Sequence, residues 1–318
     1  MAVKNIYRDI ALQEAKTQSV MIDQFLEEAP IVAMMPMEAS THGLSNLFEE
    51  VSSVTGAGMV DIDDELPTVD AQTELKQTDL SILGGTMFVG EDKAKKLGGA
   101  AAYFAKKEAL ILRKTGEDVE KAIIYNNIRA YSITEGKAES AGGSSNINYS
   151  ILAVTWTPGE ITGLYDPNGF GNGKVFDILP INGGAVYEKL INGKNILGYG
   201  VRLKSYLGIQ LANKRYVSSI VNIDLDSGTP KPPTERMMDN VLLQARANSS
   251  TVLYMHPRVL TELFNYKASR LQMVVNQNDV NRTVAYWNGT PIVTSYNFLD
   301  ALEGNVTIAK VEWINFHS

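Results

Sequence analysis

The feature that most constrains the fold is a long amphipathic helix predicted over residues 94–128. Lys and Glu occupy its polar faces, and apolar residues recur at helical spacing along one stripe, formed by Leu97, Ala101, Ala105, Leu112, Val119 and Ile123. A continuous helix of this length would span about 50 Å. Gly116 costs a helix about 1 kcal/mol relative to Ala, and Thr115 or Asp118 is suited to cap a second helix. The pattern fits one kinked helix or two collinear helices.

Residues 44–80 have the opposite character. They are acidic, contain Gly56 and Gly58 in the middle, and show scattered alternation without a helical stripe. This pattern predicts a long β-hairpin or extended arm, and an acidic surface loop is the alternative. Because the segment has little apolar surface to bury, an isolated hairpin of this kind would be marginally stable. We expect a neighbouring molecule to order it.

Charge is distributed unevenly along the chain, whose net charge is −7. Residues 1–150 contain 14 Lys and Arg against 23 Asp and Glu, whereas residues 151–318 contain 15 against 13. Residues 38–92 hold twelve acids and the single base Lys76. This balance disfavours a protein that wraps nucleic acid electrostatically.

The rest of the chain predicts an α+β fold in two lobes, joined near the Gly/Ser-rich residues 136–150. Before the arm, we expect one or two helices over residues 6–28 and an extended segment over 31–35, because Pro30 and Pro36 interrupt the helical pattern. After the boundary, the patterns predict a central strand at 217–225, a helix at 234–247, a strand at 252–255, a helix opened by Pro257, and strands at 289–295 and 306–316.

Enzymatic motifs are missing from the sequence. The absence of Cys excludes disulfides, thiolate metal sites and thiol nucleophiles. The GNGK segment at 171–174 fails as a phosphate loop, because Asn168 and Val175 stand where Gly and Ser or Thr are required. The acidic cluster at 61–65 lacks the spacing of a calcium loop. We therefore expect no catalytic residues, no cofactor and no metal, and neither a secretory signal nor a membrane span.

A set of segments lies along the chain in a fixed order: residues 10–25 and 29–36, LGG at 83–85, YLGIQ at 206–210, RYVSSIVNID at 215–224, LYMHPR at 253–258, YWNGTPIV at 286–293 and DAL at 300–302. In this order and spacing they resemble segments of the major capsid proteins of tailed bacteriophages. The resemblance covers nearly the whole chain. It implies the capsid fold named for phage Hong Kong ninety-seven and a structural protein that self-assembles into the icosahedral head around the phage DNA.

The resemblance also implies a division of the chain. Its parts would be an N-arm at 1–40, an E-loop at 41–83, a P-domain with a spine helix at 84–144, an A-domain at 145–298 and a C-terminal P-domain strand at 299–318. The partners implied are other copies in pentamers and hexamers, a portal protein, a separate scaffolding protein and a decoration protein. Packaged DNA would lie close by without specific contacts, because like charges repel. The protein would be located in the virion after assembly in the host cytoplasm.

Contacts between subunits are expected to pair opposite charges on the loop and the spine helix. The predicted residues are Glu49, Glu50, Asp61, Asp63 and Lys76 on the loop, and Lys106, Lys107, Arg113 and Lys114 on the helix. Three alternatives stay open at this point: an encapsulin-type nanocompartment shell, a metal-dependent enzyme using residues 61–65, and a phage tail or adaptor protein.

Overall fold

The computed structural model describes residues 25–62, 64–145, 148–166, 176–226, 228–265, 271–275, 283–298 and 303–308. In chain order the helices are α1 (Pro30–Met34), α2 (Glu91–Lys96), α3 (Ala100–Ala122), a π-helical segment (Ile123–Arg129), α4 (Ala130–Thr134), α5 (Glu235–Gln244) and α6 (Pro257–Asn265), with 3₁₀ turns at Ile181–Gly184 and Lys214–Tyr216. The strands are β1 (Met37–Ala39), β2 (Ser45–Thr55), β3 (Asp70–Asp79), β4 (Ser81–Gly90), β5 (Ala138–Ser140), β6 (Asn148–Thr155), β7 (Ile161–Tyr165), β8 (Phe176–Pro180), β9 (Tyr187–Ile191), β10 (Lys194–Leu211), β11 (Val217–Asp224), β12 (Thr251–Met255), β13 (Leu271–Val275), β14 (Thr283–Trp287) and β15 (Thr290–Thr294). The α+β prediction is confirmed.

Two larger sheets organise the described part of the chain. Six strands form one sheet around β10, which pairs with β4 on one side and with β9, β8 and β7 in turn on the other, and β1 extends it beyond β7. Seven strands form the second sheet in the order β13-β14-β15-β12-β6-β11-β5. The strands β6, β11 and β12 are buried at every position, as expected for strands covered on both faces.

Most elements of the second half were correctly predicted. Thr234 caps α5 by accepting a hydrogen bond from the N–H of Met237 at 3.3 Å, and Met238, Leu242 and Ala245 are buried on one face. Pro257 is the first residue of α6, and His256 Nδ1 accepts a hydrogen bond from the N–H of Arg258 at 3.1 Å. The strand predicted at 217–225 is buried but lies next to the edge strand β5.

The extended segment predicted between Pro30 and Pro36 is wrong. Residues Pro30–Met34 form the single-turn helix α1, with Pro at its first position. There the missing N–H has no intrahelical partner to lose, and the fixed φ angle already suits a helix. Pro30 therefore starts this helix and does not break it. Ile31 and Val32 are fully buried.

The long helix exists, but its start and its buried face differ from the prediction. Gly98 and Gly99, with φ angles of 86° and 102°, separate α2 from α3. From Ala100 the helix continues without a break through the π-helical segment to Thr134, so Gly116 marks no interruption. Of the predicted stripe, Leu97, Ala101 and Ala105 are exposed, whereas Leu112 and Ile123 are buried as predicted. The buried face instead follows a spacing of four residues through Leu112, Gly116, Glu120, Ile124 and Ile128.

Gly116 allows the chain before α1 to approach the long helix closely. A Cβ atom at this position would overlap the carbonyl oxygen of Phe25. Phe25, Ile31 and Leu112 belong to one core that also contains Leu152 from β6 and Tyr254 from β12. The long helix and the seven-stranded sheet therefore share a hydrophobic core.

Two further predictions concern the boundary and the C-terminus. The segment 136–150 contains β5, which pairs in parallel with β11, so part of it belongs to the seven-stranded sheet. A C-terminal strand was predicted at 306–316, but no strand is assigned to residues 304–308. Val306 pairs instead with the Asn222 side chain through N–H···O contacts of 2.8 and 2.7 Å. Residues 309–316 of that prediction, and 6–24 of the N-terminal helices, lie outside the described residues.

Candidate assembly interface

The acidic segment forms an antiparallel hairpin of β2 and β3, as predicted. Its register runs from Ser45 opposite Asp79 to Thr55 opposite Asp70, with one irregularity near Ser53. Among the described strands, these two pair only with each other. Nearly every residue of β3 is exposed, so the hairpin buries little against its own chain.

The base of the hairpin is firmly attached to the six-stranded sheet. The Asn46 amide donates a hydrogen bond to Gln210 Oε1 at 2.5 Å, and both side chains are buried. The N–H of Leu80 donates to the carbonyl of Leu44 at 2.8 Å, just before the chain enters β4. The hairpin is therefore anchored at its base and free of strand partners along its length within the described chain.

Lys76 and Glu50 form an ion pair across the hairpin. Lys76 lies opposite Phe48, which makes Glu50 its diagonal neighbour on the same face. The hydrogen bond to Glu50 raises the pKa of Lys76 above its usual value, with a smaller opposing effect of burial. Since half of the Lys76 side chain is exposed, the pair adds little stability. Glu49 lies opposite Leu75 and is exposed.

The tip of the hairpin, residues 56–69, combines acids with exposed apolar side chains. Met59 and Ile62 are almost completely exposed, and Leu66 is 76% exposed. The acids Asp61 and Asp64 flank Ile62, and the N–H of Asp64 donates to the carbonyl of Asp61 at 3.2 Å. In the part of the chain that the structure describes, no three His, Asp or Glu residues converge as metal ligands. Asp63 lies outside the described residues.

The predicted cations of the long helix fall into two groups. Arg113 pairs with Glu27 at 2.7 Å, and Lys114 pairs with Glu117 at 2.7 Å and Asp118 at 3.0 Å. The hydrogen bonds to these two acids raise the pKa of Lys114. Lys106 and Lys107 are exposed, and neither forms an ion pair with another described residue. They lie near Leu97 and Leu110 in sequence, which are 51% and 58% exposed.

Sequence reasoning missed two buried carboxylates that join distant parts of the chain. Glu120 accepts hydrogen bonds from the N–H of Ile31 at 2.9 Å and from Ser295 Oγ. Burial raises its pKa to about 7, although these hydrogen bonds oppose the shift. The signal was present in the sequence, because Glu120 stands between Gly116 and Ile124 at the spacing of four that marks the buried face.

Glu303 is the second such carboxylate. It pairs with Arg129 Nη1 at 2.8 Å, accepts a hydrogen bond from the Tyr125 hydroxyl at 2.6 Å and another from Ser150. Burial raises its pKa, and these partners oppose the rise. The cluster joins the C-terminal segment to the π-helical segment and β6. No motif predicts it, because its members are far apart in the chain.

The model of the family "Major capsid protein GP7" matches residues 94–306 of this chain. The match covers two thirds of the sequence and includes the long helix, the seven-stranded sheet and the strands β7 to β10 of the six-stranded sheet. The chain belongs to the GP7 major capsid protein family. No curated protein matches the sequence.

Solved structures agree with this family. The structure of bacteriophage Epsilon15 matches with a TM-score of 0.58 and 16% identity, over 86% of this chain and 87% of that chain. The bacteriophage JBD30 capsid matches with a TM-score of 0.50 and 11% identity, over 86% and 90%. At these identities the likeness shows the fold, which is that of phage capsids. The SrpI encapsulin from Synechococcus elongatus also matches, with a TM-score of 0.42 and 11% identity over 62% of this chain and 88% of that chain, which is too weak to support an argument.

The predictions of family, fold class and function are therefore confirmed. This GP7-type major capsid protein is a structural protein that assembles with copies of itself into capsomers and forms the icosahedral shell of the phage particle. It is located in the capsid of the virion. Among the described residues, no helix combines the length and apolar character needed to cross a membrane.

Proposed function

We propose that the hairpin β2–β3 of each capsid subunit lies across an adjacent subunit and stabilises the shell. The observation that carries this proposal is the exposure of the hairpin on its own chain, with Met59, Ile62 and Leu66 unburied at its tip. Fully burying one such side chain contributes about 1.5–3 kcal/mol. Repeated over every subunit contact of a closed shell, this contribution becomes large.

The surface that best complements the tip is the N-terminal half of α3 on the neighbouring copy. Lys106 and Lys107 supply positive charge without an intrachain ion pair among the described residues, and Leu110, 58% exposed, supplies apolar area one turn further along the helix. The acidic tip and this basic, apolar face match in both charge and polarity. Arg113, Lys114, Glu50 and Lys76 have intrachain partners, so any contact they make between subunits would compete with those pairs.

Within this proposal, the chain divides as the resemblance implies. Residues 1–40 act as the N-arm, 41–83 as the E-loop, 84–144 as the P-domain with the spine helix, 145–298 as the A-domain, and 299–318 as the returning P-domain strand. The hairpin β2–β3 lies wholly within the proposed E-loop, and α3 within the proposed spine. The hydrogen bond from Asn46 to Gln210 at the base of the hairpin supports this role, because it fixes the point from which the hairpin projects.

A charge-swap experiment tests the contact. Lys106→Glu with Lys107→Glu is expected to lower the yield of closed shells at least about tenfold, because acid then faces acid. Adding Asp61→Lys and Asp64→Lys, both at the hairpin tip, should restore assembly. Lys194→Glu, an exposed substitution in β10 outside the contact, is the matched control and should assemble normally. If Lys106→Glu with Lys107→Glu forms normal shells, the proposed contact surface is wrong.

A second experiment covers the case in which charge reversal impairs folding. Because the chain has no Cys, Ile62→Cys and Leu110→Cys can be placed on separate copies and mixed before assembly. Disulfide-linked dimers should form in the mixture under oxidising conditions, and neither single variant should give them to the same extent. Equal amounts of disulfide-linked dimer in the mixture and in both single variants would contradict a contact between the hairpin tip and Leu110.

The remaining partners follow from the same proposal. A separate scaffolding protein directs assembly in the host cytoplasm, a portal protein occupies one vertex, a decoration protein binds outside, and the DNA stays close by without specific contact. The net charge of −7 supports weak interaction with the packaged genome. The protein acts without catalysis. Replacing Asp61, Asp63, Asp64 and Glu65 by Ala should change only assembly, and the loss of a measurable metal-dependent activity would contradict this.

A further inference from the structure

The carboxylate of Glu120 lies where three distant segments of the chain meet. From the long helix it accepts hydrogen bonds from the N–H of Ile31 in α1, at 2.9 Å, and from Ser295 Oγ after β15. The N–H of Asn297 donates to Ser295 Oγ at 3.0 Å. Asn297 is held in turn by Glu28, whose carbonyl accepts from Asn297 Nδ2 at 2.5 Å. Glu120 thus links α1 to the long helix and to the residues that follow β15.

The groups packed around this carboxylate are neutral. α1 presents only apolar side chains and backbone N–H groups, the segment after β15 presents Ser295 and Asn297, and β12 presents the buried Tyr254 hydroxyl, which accepts a hydrogen bond from Trp156 Nε1 at 2.7 Å. The charged groups on flanking turns are paired elsewhere. Arg113 pairs with Glu27 at 2.7 Å, and Lys121 lies 3.9 Å from Glu117. An ionised Glu120 would therefore be a buried charge that only dipoles stabilise.

We propose that Glu120 is a proton-controlled latch: when it is protonated it holds residues 25–35 against the long helix, and when it is ionised these residues open more often. The long helix, β12 and β15 are fixed by their own backbone hydrogen bonds. α1 is a single turn of five residues, and its opening would admit water to the carboxylate. Ile31 and Val32 are fully buried, so the closed state is the major one and opening is a local, infrequent event. The proposal concerns the folded subunit and holds whether or not the hairpin contact exists.

The direction of the pH effect follows from the raised pKa of Glu120, about 7 in the folded protein because of burial. Once α1 opens, the carboxyl group is hydrated and returns towards its usual value of about 4.3. The closed state therefore binds the proton more tightly than the open state. Its advantage is complete below the open-state pKa and is lost as the pH rises through about 7. Opening of residues 25–35 should become about tenfold more frequent between pH 6 and pH 8.

Hydrogen–deuterium exchange of the purified full chain, in its native assembly state, tests the latch. After correction for intrinsic exchange, peptides from residues 25–35 should lose about tenfold in protection between pH 6 and pH 8, while peptides from β11 in the same sample should not. Glu120→Gln keeps the shape and the acceptor oxygen but cannot ionise, so its protection should stay constant over this range. Glu117→Gln, an acid one turn earlier on the helix surface, is the matched control and should behave like the unmodified protein.

Two results would overturn the proposal: unchanged protection of residues 25–35 in the unmodified protein, or an undiminished pH response in Glu120→Gln. If Glu120→Gln does not fold, the test is the change in exchange protection of the 25–35 peptides compared with that of the β11 peptides in the unmodified protein. A loss of protection confined to residues 25–35 between pH 6 and pH 8 supports the latch. A uniform fall in every peptide contradicts it, because it reports loosening of the whole fold.

Discussion

The hairpin β2–β3 and the strand β12 show two ways in which this capsid protein stabilises a β-structure. Every residue of β12 is buried between neighbouring strands and helices, so its side chains contribute to the stability of the isolated subunit. Nearly every residue of β3 is exposed, so its side chains contribute little until another molecule covers them. The side chains of β12 therefore stabilise the folded subunit, whereas we expect those of the hairpin to stabilise the assembled shell.

The same substitution in the two regions should separate these roles most strongly. Leu253 in β12 is fully buried, whereas Leu75 in β3 is 68% exposed. Leu253→Ala should lower the free energy of unfolding by about 2–5 kcal/mol, and Leu75→Ala by less than about 0.5 kcal/mol. Chemical denaturation of unassembled subunits measures both. Equal losses would show that the hairpin is part of the folding core.

Loss of the Glu303 charge should also affect folding, with a smaller effect. Glu303→Gln leaves the Arg129 guanidinium, whose side chain is only 16% exposed, without its charged partner. We expect a loss of about 2–3 kcal/mol in the free energy of unfolding. The double variant Glu303→Gln with Arg129→Met should recover part of that loss, as a double-mutant cycle would measure. Strict additivity of the two single effects would mean that the pair is not coupled.

Gly116→Ala tests the close approach of the chain to the long helix. Ala favours a helix by about 1 kcal/mol, but its Cβ would overlap the Phe25 carbonyl. We expect a net destabilisation of about 1–3 kcal/mol, seen as a lower Tm. Gly85→Ala in β4 is the control, because a Cβ there has no neighbour within 4 Å. A higher Tm for Gly116→Ala would show that helix propensity outweighs the contact.

The smallest effect is expected at the hairpin ion pair. Lys76→Gln removes the partner of Glu50, but the Lys76 side chain is half exposed, and solvent screens such pairs. The free energy of unfolding of the subunit should change by less than about 0.5 kcal/mol. Denaturation at low and high salt measures this. A loss above about 1 kcal/mol would mean that the hairpin contributes to the stability of the subunit by itself.

The sequence predicted those elements whose local signals agree with their environment. The hairpin, α5 with Thr234 as its cap, β12 and α6 behind Pro257 all combine a clear period with a clear boundary. α1 was missed because Pro30 can either end a helix or begin one, and only tertiary packing decides. The apolar stripe was correct at Leu112 and Ile123 but wrong at Ala101 and Ala105, because Ala fits either face of a helix and the buried face is set by contact with Phe25 and α1.

The candidate site was predicted less completely than the fold. Acids at the tip and lysines on the helix can be identified by charge alone, and the structure leaves Lys106 and Lys107 without ion pairs among its described residues. The partner of Arg113 could not be predicted, because Glu27 is far from it in sequence. The partners of Lys114 follow from helical spacing, because Glu117 and Asp118 lie three and four residues after it. Glu120 and Glu303 depend on contacts between segments more than 80 residues apart.

Electron microscopy of the purified chain, expressed with and without its proposed scaffolding partner, tests the central claim most directly. We expect closed shells, or pentamers and hexamers, in which density for the hairpin tip lies over Lys106 and Lys107 of an adjacent subunit. A monodisperse monomer or dimer under both conditions, or shells in which the tip folds back on its own chain, would contradict it.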